Sequence, residues 1–321
     1  MPDVLQEADN SRAADLRIPR GQATPRAFVL YCLALTLVPV IAVAGSFFIA
    51  RSSFYIQHQR NSYLAISDYP FTLRGKNCDV VIYGDSSALT GVSPPVIEAV
   101  TSLRTCNIAQ PNTALAITGT FALDSYLKNN APPKFLIFQL TAPDFAPNDA
   151  NGTLYEEGAL QLVRHKLDRQ TFLLFARHPM QSFEFSEFIL RTAFVDRAWT
   201  TSNYERSWTA VRVTNGLFTA PSAPLKNCAG SLDVRAPDAA WIARLRRKYS
   251  SAATRVLIYA APYPECDGSF DYYSEKLEHL ADNRLERFNI RFFNEQNHFT
   301  REGAEVNSRR IGEEIGKFLR K

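Results

Sequence analysis

Several familiar functional signatures are missing from this sequence. It has no phosphate-binding glycine loop and no dinucleotide fingerprint, the Gly-rich turns that bring backbone N–H groups up to a phosphate. Its cysteines do not fall at the short paired spacing of a structural zinc site. Asp85 and Asp144 are carboxylates with no histidine clustered beside them, so no metal and no other cofactor is expected. The formal net charge is only +4 and is spread along the chain, so there is no basic footprint for nucleic acid. There is no internal repeat and no low-complexity tract. Charged residues make up 21% and apolar ones 46%, a composition that fills a core and excludes a disordered chain.

One absence is local. From Ala27 to Ala50 the chain carries no charge. At about 1.5 Å rise per residue, a helix of this length crosses a ~30 Å hydrocarbon core. Pro39 inside it is tolerable in a membrane helix. Arg12, Arg17, Arg20 and Arg26 precede the run, and only Arg51 and Arg60 closely follow it. That bias predicts a cytoplasmic N-terminus and an exported remainder, periplasmic or otherwise extracytoplasmic. The expected organisation is a cytoplasmic tail (1–26), a transmembrane helix in contact with the lipid bilayer (27–50), a juxtamembrane connector (51–75) and an exported domain (76–321). A cleaved signal peptide is the rival reading, because Ala42-Val43-Ala44 has the small-x-small form. The apolar run continues past that point, which favours an uncleaved anchor, and both readings export the domain.

Cys32 lies in the apolar run; Cys78, Cys106, Cys228 and Cys266 remain, an even number in an oxidising compartment. Cys78 and Cys106 each open an expected strand, and those strands should be neighbours. The expected pairs are Cys78–Cys106 and, by elimination, Cys228–Cys266, against the alternative of four buried thiols.

Short apolar runs then alternate with helical spacing. Strands are expected at Cys78–Tyr83, Thr105–Ala109, Lys134–Leu140, Arg255–Ala261 and Ile290–Phe293. Helices are expected after Pro94-Pro95, over Thr113–Leu127, over the basic stretch before Arg255, and over Glu302–Leu319. This alternation predicts βαβ units and a parallel sheet covered on both faces. An aromatic-rich insertion occupies about 145–235. It reads as helical packing and a lid, or as a small core of its own.

In open α/β sheets, sites form beyond the carboxyl ends of the strands. After the first strand stands Gly84-Asp85-Ser86-Ser87. A serine there presents its hydroxyl at the sheet edge, and its own N–H can face an oxyanion. After the last expected strand stand Glu295 and, three residues on, His298, just before a helix. A neutral imidazole at that edge can take the serine proton, and Glu295 can fix its tautomer. His58, His165, His178 and His279 have no such setting.

VVIYGDSSALTG near the start and EQNHFTREGAE near the end together resemble the first and last blocks of the SGNH (GDSL-like) hydrolase family. The resemblance covers about residues 78–320 outside the insertion. It implies a flavodoxin-like three-layer α/β/α fold with a parallel sheet of about five strands, here with a transmembrane helix and a helical insertion added. It implies ester chemistry with Ser86 as nucleophile, His298 as base and Glu295, where the family usually has aspartate, as orienting acid. Asp85, Asn107, Gln110, Asn112 and Gln139 are the candidates for oxyanion and substrate binding. The middle blocks depart from the family. Asn107 to Asn112 has no glycine, and Thr141-Ala142-Pro143-Asp144 stands where Gly-x-Asn-Asp is usual, so Pro143 replaces a donor asparagine. Asn148 is a further substitute donor. Anchored members with such middle blocks resemble accessory proteins of envelope polysaccharide O-acylation. The expected activity is an exported serine esterase or O-acyltransferase acting on acyl, chiefly acetyl, esters of an envelope or secreted polysaccharide. Its expected partners are that glycan and a membrane-bound O-acyltransferase. The alternatives are a non-catalytic glycan-binding or scaffolding component and a lipid-directed esterase.

Overall fold

Four parallel strands set the geometry of everything that follows. The structure, a computed structural model, describes residues 24–57, 63–146, 156–195, 203–218, 223–228, 234–295 and 297–320. The expected tail up to residue 23 and Asn148 lie outside the described residues. The chain divides into two compact units, Met1–Ala42 and Val43–Lys321. In the first, residues 25–42 belong to helix α1 (Pro25–Arg51), which continues into the second. It is the one described helix long and apolar enough to cross a membrane, with a mean hydropathy of 2.5 and no burial in its most apolar window.

In the second unit α1 is followed by α2 (Ser53–Gln57), α3 (Tyr63–Thr72), β1 (Val80–Gly84), α4 (Ser86–Gly91) and α5 (Pro94–Thr101). Then come β2 (Thr105–Asn107), α6 (Asn112–Thr118), α7 (Phe121–Asn129) and β3 (Phe135–Leu140). The insertion supplies α8 (Glu156–His165), α9 (Arg169–Arg177), α10 (Pro179–Leu190), a π-turn over Arg191–Val195 and α11 (Asn203–Val213). The chain closes with α12 (Ala239–Tyr249), β4 (Arg255–Ala260), β5 (Tyr263–Pro264), α13 (Phe270–Leu277), β6 (Arg287–Phe288), β7 (Phe293–Glu295), β8 (His298–Phe299) and α14 (Arg301–Leu319).

The sheet order is β2-β1-β3-β4, all parallel. Its two central strands, β1 and β3, are buried throughout, as expected for strands covered on both faces. Alternation sends Gln139 to the face covered by α4, α5 and α14. Tyr83 and Phe138 point to the opposite face, where the Tyr83 hydroxyl donates to the Gly119 carbonyl and the Phe138 ring lies 5.6 Å from that of Tyr249. Both expected disulfides are present, Cys78–Cys106 with Cα atoms 5.9 Å apart and Cys228–Cys266 with 5.8 Å.

Two sequence expectations fail for local physical reasons. The helix expected over Thr113–Leu127 is split, because Gly119 takes a positive φ of 53° between α6 and α7. The expected fifth strand at Ile290–Phe293 does not join the sheet, which has four strands instead of five. Asp282 and Asn283 occupy the edge it would have used. The Ile258 N–H donates to the Asp282 carboxylate and the Ala260 N–H to the Asn283 amide oxygen. The Asn283 amide in turn donates to the Ala260 carbonyl. With β4's polar groups satisfied by side chains, Ile290–Phe292 folds as a 3-10 turn started by the Asn289 side chain.

The buried aromatics of the insertion fill a core of their own. Phe175, Phe185 and Phe188 pack with Phe47, Ala50 and Tyr55, apart from the main core around the sheet.

Candidate active site

Ser86 is where the chain leaves β1 and enters α4. Asp85 makes that turn rigid. Its carboxylate accepts from the Ser87 N–H at 2.8 Å as the helix cap. Its other oxygen accepts from the Thr141 N–H at 2.6 Å and the Thr141 hydroxyl at 3.1 Å. Asp85 therefore ties the exit of β1 to the exit of β3. Gly84 is obligatory just before it, since a Cβ there would fall onto the Gln139 carbonyl oxygen.

His298 reaches the same edge from the far end of the chain. β7 and β8 form an antiparallel hairpin in which Glu295 stands opposite His298. The Glu295 carboxylate meets His298 Nδ1 at 2.8 Å, so the acid holds one ring nitrogen and not Nε2. The hairpin rests on Phe293 and Phe299, whose ring centroids are 4.8 Å apart, and on Leu217. The Leu225 N–H donates to the Phe293 carbonyl, so the end of the insertion braces the hairpin.

One residue links the two halves. The Thr90 hydroxyl donates to the Ser86 carbonyl at 2.9 Å and accepts from the Phe299 N–H at 3.2 Å. The residue after His298 is thus two hydrogen bonds from Ser86. Gly91 lets them approach, because a Cβ there would overlap the Phe299 ring. Asn307 of α14 completes the support, donating to the Gly91 carbonyl at 2.9 Å and to Gln139 Oε1 at 3.0 Å.

Of the other sequence candidates, three hold the framework. Asn107 donates to the Ala88 and Val92 carbonyls at 2.8 and 2.9 Å and accepts from the Ala109 N–H. Gln110 gives its N–H to the Gly84 carbonyl, and its side-chain amide donates to the Ile108 and Ala109 carbonyls and accepts from Gln161. Gln139 donates to the Ser87 carbonyl. The backbone N–H groups of Ala109 and Gln110 are both engaged as well.

Asn112 is placed differently. With Asp144 it lines a cavity of about 380 Å³ beside the carboxyl ends of β1 and β3, walled by Tyr83, Phe138, Trp241 and Leu245. Its amide faces the Asp144 carboxyl at 3.4 Å, and the Thr141 hydroxyl lies 2.9 Å from the other Asp144 oxygen. Burial, helped by the Asp85 carboxylate, pushes the Asp144 carboxyl up to about 8. A protonated carboxylic acid at neutral pH donates a hydrogen bond, a role that a sequence reading confined to metal ligands passes over. The clue was available: Asp85 and Asp144 follow adjacent parallel strands, so both carboxyls crowd one edge.

Comparison with protein-family models, with curated proteins and with solved structures finds no match for the chain.

Proposed function

We propose that this chain is an exported, membrane-anchored serine esterase or O-acyltransferase acting on acyl esters of an envelope or secreted polysaccharide. The observation that carries the reading is the Glu295–His298 pair, seated through Phe299 and Thr90 on the helix that begins with Ser86. In this reading Ser86 Oγ attacks the ester carbonyl while His298 Nε2 takes its proton. The ester C–O bond breaks, His298 returns the proton to the leaving alkoxide, and the acyl group remains on Ser86. Water or a glycan hydroxyl then takes the acyl group by the same steps, and Ser86 is restored. Asn112 and Asp144, which line the cavity beside the carboxyl ends of β1 and β3, are the side chains assigned to the oxyanion in this reading. The order β2-β1-β3-β4 suits a flavodoxin-like three-layer arrangement, whose strand order begins the same way. The apolar helix and the two disulfides suit an anchor and an oxidising compartment with the N-terminus in the cytoplasm. The polysaccharide and a membrane-bound O-acyltransferase partner follow from the resemblance to the SGNH family.

The test is labelling of the full-length protein in detergent by a fluorophosphonate probe. Labelling is expected in the native chain and absent in Ser86→Ala; persistence in that variant removes Ser86 from the chemistry. Turnover of aryl acetates without an acceptor marks a hydrolase, and turnover only with added glycan marks a transferase. One observation favours a second reading, a non-catalytic glycan-binding or scaffolding component: the donors of Asn107, Gln110 and Gln139 are already engaged. Glycan binding that survives Ser86→Ala, with no labelling of the native chain, selects it.

A further inference from the structure

The insertion helices lie alongside the end of α1 in a definite register. Ser46 meets Ser186 at 3.1 Å, and Phe47 meets Phe185 with ring centroids 5.9 Å apart. Further along, Tyr55 meets Thr192 at 3.0 Å and Phe54 meets Phe194 at 6.0 Å. Residue numbers rise together on both sides, so α10 runs parallel to the last turns of α1. Phe183 precedes Ser186 by one turn and Met180 by two. At about 1.5 Å per residue they lie roughly 5 and 9 Å back along α10. That direction leads toward residue 43 and the apolar run. α9 arrives at the same level, where Phe172 lies 6.1 Å from Phe47. Arg164 fastens the arrangement by donating to the Ala50 carbonyl at 2.7 Å, and Arg51 donates to the Val163 carbonyl at 2.9 Å.

The side chains at this level are apolar and uncovered. Phe48 is 80% exposed and Met180 72%, and Phe172, Leu173 and Phe183 are exposed as well. Apolar side chains gathered on one face mark an interaction surface, where scattered ones need no explanation. Arg169 and Arg177 stand exposed at the two ends of α9, and their long stems can lift a guanidinium to a lipid phosphate. Glu184 and Glu187 lie on the next exposed turns of α10, farther from the apolar run.

The length of the run fixes what covers this face. About 20 residues of helix fill a ~30 Å hydrocarbon core. Ala27–Ala50 is longer than that, so its last turn, from Phe47, emerges at the headgroup level. Phe172 is at the height of that turn, and Phe183 and Met180 follow on its membrane side. We propose that the α9–α10 hairpin is a second membrane contact that seats its exposed apolar side chains in the interface of the phospholipid bilayer spanned by α1. The proposal rests on the reading of α1 as a membrane span. It makes the exported domain a body held against the bilayer at a set height.

Native Cys32 is the single described free cysteine and lies within the apolar run, which separates the two ideas experimentally. The full-length protein is reconstituted in phosphatidylcholine–phosphatidylglycerol vesicles containing lipids with a nitroxide near the headgroup end of the acyl chain. A thiol-reactive NBD dye is placed on Cys32, or, in a Cys32→Ser background, on Phe172→Cys, Met180→Cys or, as an exposed control on α12, Arg247→Cys. The expected result is at least about twofold quenching at 172 and 180, as for an interfacial helix, with the control unquenched. Labels at 172 and 180 as bright as the control, while Cys32 is quenched, overturn the proposal and leave the span intact. Labels there that shift to the blue without quenching mean a protein covers the face, which also overturns it. An unquenched Cys32 removes the span and the proposal with it.

Discussion

Asp68 holds His165 at 2.6 Å, and Glu295 holds His298 at 2.8 Å. The distances are nearly equal, through Nε2 in the first pair and Nδ1 in the second, yet the surroundings differ. The Asp68 side chain is 5% exposed and also accepts two bonds from Arg164, at 3.0 and 2.8 Å. The His165 ring lies flat on Phe71, with centroids 3.9 Å apart. Burial alone would raise the Asp68 carboxyl, but the His165 hydrogen bond and the Arg164 charge outweigh it and hold the group below the usual carboxylate range. This pair is enclosed, and it joins α3 to α8. The Glu295 side chain is 69% exposed, no arginine among the described residues is bonded to it, and its histidine stands beside the helix of Ser86. The acid–histidine distance does not separate structure from chemistry here. The surroundings do: a buried guanidinium on the acid in one case, and an exposed acid on a hairpin bonded to the helix of Ser86 in the other.

The widest gap should appear in reactivity. His298→Ala is expected to slow fluorophosphonate labelling by roughly 10²–10⁴-fold, while His165→Ala leaves the rate of the folded protein nearly unchanged; equal losses would break the contrast. Stability should reverse the ranking. Asp68→Ala strands a buried guanidinium and is expected to cost about 3–5 kcal/mol in denaturant unfolding. Glu295→Ala should cost under about 1 kcal/mol, as for an exposed pair.

The two unusual aspartates should also answer pH in opposite senses. The Asp68 carboxyl is lowered in the folded chain, so its stabilisation is present above the ordinary value of 3.8 and is lost on acidification. The Asp144 carboxyl is raised, so its contribution is present below about pH 4 and is lost as pH climbs to about 8. Asp144→Asn should therefore flatten the melting temperature across that window, and an unchanged slope would refute the raised value. Thr90→Val is expected to cost about 1 kcal/mol for the lost hydrogen bonds. A fall in labelling larger than that loss of stability explains would show that Thr90 positions the hairpin.

Much of this was legible in the chain itself. The four buried strands announce themselves as apolar runs because both their faces are covered, and the cysteine pairing follows from which strands must be neighbours. Ser86 stands out because it follows a strand at the edge where sites form, and Glu295 and His298 because an acid three residues before a histidine precedes a helix, although the strand expected before them is not in the sheet. The missing fifth strand was not legible, because what replaces it is a pair of side chains, Asp282 and Asn283, whose backbone partners are remote in sequence. The same limit applies to Asn107, Gln110 and Gln139. Each looks like an available donor until the fold supplies a carbonyl for it. The insertion's aromatics likewise find their partners in α1, a contact that no local pattern announces.

The side-chain seal on β4 matters beyond the strand it replaces. At the other edge of the sheet, the Asn107 N–H is taken by the Asn215 carbonyl. If α1 anchors the chain as proposed, copies are confined to two dimensions and their effective concentration toward one another rises. An open strand in that setting is an invitation to zip neighbours together. With Asp282 and Asn283 on one flank and Asn215 on the other, the sheet has a fixed width, and crowding along a surface need not become polymerisation.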